Sequence, residues 1–490
     1  MKPSCIALAA TVILSSLDVG STSAADLSGV CCADLEERIA ELEGATALKG
    51  GRKMSLTITG SVSRIILNVD DGKGSYTYYG LDNGNFGSIY NLYGEAKLSS
   101  QVKAGYFIFI NIGAGGSSLS VSQLDEDGKA PGKLCPTTCP SFNEHNVDSY
   151  FADARVLDWW IEHSDLGRVT VGRARTAGVW ATIDLTGQIF PVASSAFGIL
   201  NGGFLIRGPA GQYYSVAWGN ITDPATAFSR TELIRYDTPS YHGFLFSSSI
   251  AEAGDYLAAQ LRYLQDKGSL RVAGVVSYEH ATDVASPGVI NPSNIAYIGR
   301  PPNVTAKGLA LSAMHVPSGL FLQGHYMAVD YGGEIIGAAS GYWGESTVHK
   351  KPADQWLVQG GIAKKWFDYG QTSVYGEYGA ATDWGADFSN AAGTTLGRDY
   401  ATPGFTPVKG VIGTHLTIFG VGVAQDLAEA STTLFAGYRR FNADIRCADG
   451  VAAPTCSGGV NATAAPGSFV THKLPTDGAN VLVIGSRVRF

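Results

Sequence analysis

The 9 histidines, 43 carboxylates and 7 cysteines are the residues that could carry acid-base, metal or thiol chemistry, and their spacing decides what they do. The histidines are scattered without metal-ligand spacing, and no G-x-S-x-G, H-E-x-x-H or phosphate-binding loop occurs; "GAGGSS" at 113–118 is too degenerate to count as one. No catalytic residue, metal or cofactor is therefore expected, and an exported β-rich hydrolase stands only as an alternative. The cysteines are more informative. Cys135 and Cys139 in "KLCPTTCPS", and Cys447 and Cys456 in "IRCADGVAAPTCSG", are close pairs in Gly-, Pro- and Thr-rich stretches, as short disulfides that staple exposed loops in an oxidising compartment would be. A metal site is the other reading, but no histidine or second pair has the spacing for it. The remaining chemistry is electrostatic. Arg155, Arg173, Arg175, Arg235, Arg262, Arg271 and Arg439 all fall within or beside segments expected as strands, and alternation is clearest around Arg262 and Arg271.

Those segments read as β-strands. "YLAAQLRYL" sets Leu257, Leu261 and Tyr263 against Gln260 and Arg262; "SLRVAGVVSY" sets Leu270, Val272, Val276 and Tyr278 against Arg271 and Ser277. "MSLTITGSV", "GLFLQGHYMAVD" and the closing "ANVLVIGSRVRF" repeat the pattern. A period of two gives each strand one apolar and one polar face. Short connections at 99–101, 164–167, 239–243, 265–268, 317–319 and 368–370 alternate with long ones near 70–85, 114–146, 175–229, 282–304, 331–353, 381–410 and 443–478. Tight turns on one rim and long loops on the other are the plan of a transmembrane antiparallel β-barrel. About 16 strands are expected over 53–490, starting near 53, 86, 103, 147, 168, 230, 243, 256, 269, 306, 319, 354, 371, 411, 430 and 479. An arginine on the lipid side of such a wall at mid-membrane would cost about 2–4 kcal/mol, so the polar parity that holds Arg262 and Arg271 points to the lumen.

Composition agrees. With 62 Gly and only 16% charged residues, the chain favours many strands and turns over helical domains, and a net charge of −8 without basic blocks leaves no footprint for nucleic acid. Residues 1–25 carry a Lys, an apolar run from Ile6 to Leu14 and a Ser-Ala-Ala exit, the form of a secretory signal peptide. Over 26–52, "CCADLEERIAELEGATALKG" spaces Cys32, Leu35, Ile39, Leu42 and Thr46 as a short coiled-coil helix on the periplasmic side. Arg38 and Glu43 then take positions that bridge parallel neighbours, and "RIAELE" resembles a trimer-specifying pattern. A structural surface barrel or adhesin is the alternative this helix motivates, although strands begin directly after it.

The blocks "CCADLEERIAELE", "RKMSLTITGSVSRIILNVDDG", "GRVTVGRART", "IRYDTPSYHGF" and "IGSRVRF" resemble the general porins of alphaproteobacteria, rhizobial and Brucella-like, from about residue 31 to 490. The resemblance implies a 16-stranded barrel in the Gram-negative outer membrane, a homotrimer, contact with lipopolysaccharide and membrane lipid, and passive diffusion of small hydrophilic solutes. It also implies a terminal Phe490 read by the barrel assembly machinery, and a third outer loop, 176–229, folded inward as a constriction. Asp184 is the only acid between Asp165 and Asp223, which makes it the expected negative pole of that loop, with the seven arginines as its basic counterpart on the wall.

Overall fold

The computed structural model describes residues 54–112, 118, 121–123, 153–178, 183–193, 200–221, 230–251, 254–282, 303–332, 334–335, 348–349, 352–384, 405–406, 408, 411–450 and 469–490. The expected signal peptide and coiled coil, with Leu35, Arg38, Ile39, Leu42 and Glu43, lie outside the described residues, as do Cys135, Cys139 and Cys456. Cys447 is described and is disulfide-bonded.

The strands are β1 (Thr57–Asp70), β2 (Ser75–Asp82), β3 (Ile89–Lys97), β4 (Val102–Asn111), β5 (Asp153–His163), β6 (Gly167–Arg175), β7 (Leu205–Arg207), β8 (Tyr213–Ala217), β9 (Arg230–Asp237), β10 (Phe244–Ala251), β11 (Tyr256–Lys267) and β12 (Leu270–Ala281). They continue as β13 (Asn303–His315), β14 (Leu320–Gly332), β15 (Glu334–Ile335), β16 (Val348–His349), β17 (Ala353–Phe367), β18 (Gly370–Thr382), β19 (Phe405–Thr406), β20 (Val411–Leu427), β21 (Thr432–Gly450), β22 (Phe469–Leu474) and β23 (Ala479–Arg489).

Each long strand pairs antiparallel with its neighbour in sequence, and β23 returns to β1 from Ser61↔Arg489 to Asp70↔Asn480, which closes the sheet. Two positions in this sheet are held by interrupted strands. β1 pairs with β3 over Thr57–Ser61 and with β2 from Arg64 to Asp70, while β21 pairs with β23 below and β22 above. The result is a closed 16-strand antiparallel barrel. The break between β2 and β3 lies at "DNGNFG", where side chains take over from the ladder. Asn83 Oδ1 accepts from the Asn85 N–H at 2.9 Å, and Asp82 Oδ1 accepts from the Ser88 N–H at 3.0 Å and its hydroxyl at 2.7 Å. Much of the two stretches expected as long loops at 70–85 and 443–478 is therefore strand. Their polar composition reads as loop, but β1 and β21 are long enough to template them.

The turns β3–β4, β5–β6, β11–β12, β13–β14, β17–β18 and β20–β21 lie on one rim, while the short β1–β2 turn, closed by Asp71 N–H to Gly74 O, lies on the other. At the β13–β14 turn Gly319 adopts φ +76°, and a Cβ there would strike the Ala363 carbonyl of the adjacent strand, so both conformation and space require glycine. Alternation sorts the side chains by face. Leu257, Leu261, Val276, Tyr278, Leu309, Leu311, Leu320 and Leu322 are 40–61% exposed on the outside, while Gln260, Arg262, Ser277, Ser312, Gln323 and Gln359 are buried on the inside. An apolar exterior of this extent, continuous from strand to strand, is far larger than a water-facing surface carries. It is the lipid-facing surface of a membrane barrel.

Candidate functional site

The loop between β6 and β9 folds into the barrel, and its described parts are held at both ends and in the middle. It leaves β6 through Thr176, whose hydroxyl donates to Glu279 at 2.9 Å, and Ala177, whose N–H donates to Ser249 Oγ at 2.9 Å. Next comes Asp184. Its carboxylate accepts five hydrogen bonds from its own loop: the Thr186 N–H at 2.9 Å, the Thr186 hydroxyl at 2.6 Å, and the N–H groups of Gly187, Ile189 and Phe190 at 3.0–3.2 Å. Burial pushes this carboxyl above its ordinary range, with the bonds from Thr186, Phe190 and Ile189 pulling the other way. Asp184 thus organises the turn that begins the short helix α1 (Phe190–Ala193).

The carbonyls of α1 are bound to the wall. Asn83 Nδ2 donates to Pro191 O at 2.8 Å, Asn85 Nδ2 donates to Val192 O at 3.3 Å, and the Arg439 guanidinium donates to Ala193 O. Helix ends leave such groups without internal partners, and here the barrel supplies them. Further on, the hairpin of β7 and β8 pairs with β19, which comes from the connection between β18 and β20, to form a three-stranded sheet. Phe204, Leu205, Ile206, Val216 and Trp218 are at most 1% exposed beneath it, so the loop carries an apolar core that packs on the inner faces of β1, β2 and β21.

The expected basic residues fall into several environments. Arg235 and Arg262 converge on Asp237: Arg235 donates from Nη2 at 2.7 Å and Nε at 3.0 Å, and Arg262 donates from Nη2 at 3.2 Å and reaches Ser247 Oγ at 2.8 Å. Arg235 also donates to the Arg175 carbonyl at 3.3 Å. Arg155 is the extra residue of a bulge in β5 between Ala154 and Val156, and its guanidinium lies 5.9 Å over the Phe109 ring. Arg271 faces inward at the tight-turn rim, paired with Asp266 at 2.8 Å. Arg173 is in register with Leu157 and Glu232, all exposed on the outer face, so it stands apart from the interior cluster. Arg439 is buried against Glu377 and the loop.

No family model and no curated protein matches the chain. Among solved structures it is similar to the anion-selective porin from Comamonas acidovorans (14% identity, 89% of this chain and 100% of that chain, TM-score 0.47). It is also similar to Salmonella typhi OmpF in complex with daunomycin (10%, 89% and 98%, 0.44) and to the trimer form of OmpT, an outer membrane protein of Vibrio cholerae (11%, 90% and 100%, 0.43). These are distant likenesses. The barrel stands on its own pairing.

Several interior contacts are not legible in the sequence, although Gln323 and Glu377 show polar parity there. Gln323, Gln359 and Glu377 stand in register on β14, β17 and β18, and each glutamine donates to the next residue at 2.9 Å. The chain continues across Gly420 of β20 to Arg439 of β21, whose Nη2 meets Glu377 Oε2 at 3.0 Å. A Cβ at Gly420 would collide with the Glu377 carboxylate and crowd the Arg439 stem, so glycine lets the ion pair span a strand. Glu377 shows polar parity in sequence, but nothing there reveals its partner two strands away.

Proposed function

We propose that this protein is an outer-membrane porin that forms a water-filled channel for passive diffusion of small hydrophilic solutes and ions. The observation that carries the proposal is a closed 16-strand barrel, apolar outside and polar inside, with one loop folded into its interior. A barrel of this strand number leaves an aqueous lumen where side chains alone do not fill it. The loop's apolar core occupies the side near β1, β2 and β21, which narrows the passage toward the opposite wall.

The charged wall of Arg155, Arg175, Arg235 and Arg262 fits the basic side of such a passage, which orients polar solutes by its field. Asp184 then acts by shaping the loop and Arg439 by tethering it. The finer reading is a homotrimeric porin of the alphaproteobacterial type in the Gram-negative outer membrane. The sequence resemblance and the coiled-coil pattern at Leu35, Arg38, Ile39, Leu42 and Glu43 support it, as does the terminal Phe490 beside the barrel seam.

Single-channel recording of the purified, refolded protein in a planar bilayer tests the proposal, with a salt gradient to obtain the reversal potential. Current steps grouped in threes would support an open trimeric channel. Folded protein that inserts and never conducts would overturn the channel reading in favour of a structural barrel.

A further inference from the structure

The inner wall is unevenly covered. Along β1, where the loop packs, Ser61, Ser63, Ile65, Leu67 and Val69 are 0–1% exposed, whereas on β3 and β4 the inward Tyr93, Phe107, Phe109 and Asn111 are only half-buried. Phe107 and Phe109 are two residues apart on one strand face, with ring centroids 6.4 Å apart and planes 7° from parallel. Apolar rings left partly open inside a polar barrel lose hydrophobic stabilisation, so a stacking partner would find them favourable. Cations surround them. The guanidiniums of Arg155 and Arg230 each lie 5.9 Å from the Phe109 ring centre, at the end away from Asp158. Asp158, in register with Phe107, is an acid on the same face, and Asp237 farther along the inner wall holds Arg235 and Arg262.

We propose that this stretch of wall is a transient binding site for small aromatic anions, a flat ring bearing a carboxylate, which slow there on their way through the channel. The ring stacks on Phe107 and Phe109, and the arginine field draws the carboxylate to the Phe109 end and away from Asp158. Stacking needs no vacant guanidinium, because the attraction is to the field of the whole cluster. Discrimination lies in requiring both features: a short aliphatic acid lacks the face, and an aromatic amine carries the wrong charge. The inference rests on the channel reading above.

The test is current recording in potassium chloride with benzoate, cyclohexanecarboxylate, acetate or benzylammonium added in turn. Benzoate is expected to interrupt the open current in a concentration-dependent way, with dwell times about fivefold longer than those of acetate or benzylammonium. Phe109→Leu, which keeps apolar bulk without a ring, should erase that difference, and Phe109→Tyr should retain it. Open steps with equal effects of benzoate and acetate, or benzoate interruptions unchanged in Phe109→Leu, would overturn the site. Cyclohexanecarboxylate matching benzoate would overturn the stacking basis. Folded protein with no steps at all would instead sink the channel reading, so the two failures are distinguishable.

Discussion

At the scale of single residues, polar groups inside the barrel act mainly by holding one another. The Glu377–Arg439 pair is almost fully buried and also grips the loop through Ala193 O. Removing one member of such a pair leaves a buried charge without its partner, which costs about 3–5 kcal/mol. Arg439→Leu or Glu377→Leu alone should therefore lower the thermal unfolding midpoint in detergent sharply, and the double variant should lower it by less than the sum. Strict additivity would show that the pair is not coupled. Asp184→Ala deletes the acceptor for five loop donors, each bond worth about 0.5–1.5 kcal/mol. Its expected signature is a noisier open current with larger mean conductance, measured against the unaltered protein in the same salt. That Asp184 lies in the inward loop is legible from the chain, being the only acid over a long apolar stretch. That its charge is turned onto backbone amides is not, because those bonds depend on the exact turn.

At the scale of elements, strand existence and facing are written in alternation, and tertiary pairing adjusts the ends. Val276 and Ser277 of β12 show this: the first is 55% exposed on the outer face and the second is buried inside. Val276→Arg should destabilise by about 2–4 kcal/mol if its site is near mid-membrane, read as a lower midpoint of urea unfolding in lipid vesicles. Ser277→Arg should leave that midpoint nearer the original and change conductance instead. Similar losses in both would contradict the assignment of faces. The alternation rule fails where a strand carries irregular geometry. At the bulge in β5, Arg155 joins Val156 on the inner side; past it alternation resumes, with Trp159 54% exposed outside and Trp160 9% exposed inside, where Arg168 lies 4.1 Å from its ring. Trp366, Phe367 and Tyr369, at the β17–β18 turn, are 47–67% exposed.

At the scale of the whole molecule, closure is the feature on which the others depend. The seam between β23 and β1 ends in reciprocal backbone bonds, Gly60 N–H to Phe490 O at 2.8 Å and Phe490 N–H to Gly60 O at 3.1 Å, with the Phe490 ring over Gly60. Deleting Phe490 should lower the temperature at which the barrel loses its compact gel mobility, and an unchanged temperature would show that the seam does not need it. The sequence by itself determined the class of fold, the number of strands and the face taken by residues of the regular strands, because a period of two in a wall with lipid outside and water inside is a local rule that each unbulged strand obeys on its own. It also marked 175–229 as a long connection, while its inward fold is what the family resemblance implies. Only the tertiary structure decided which arginines meet which acids, that Arg173 stands outside while Arg155 stands inside, and that the loop is roofed by a strand from a distant connection. Those outcomes depend on register, on bulges and on contacts between residues more than a hundred positions apart, and no periodicity along the chain encodes them.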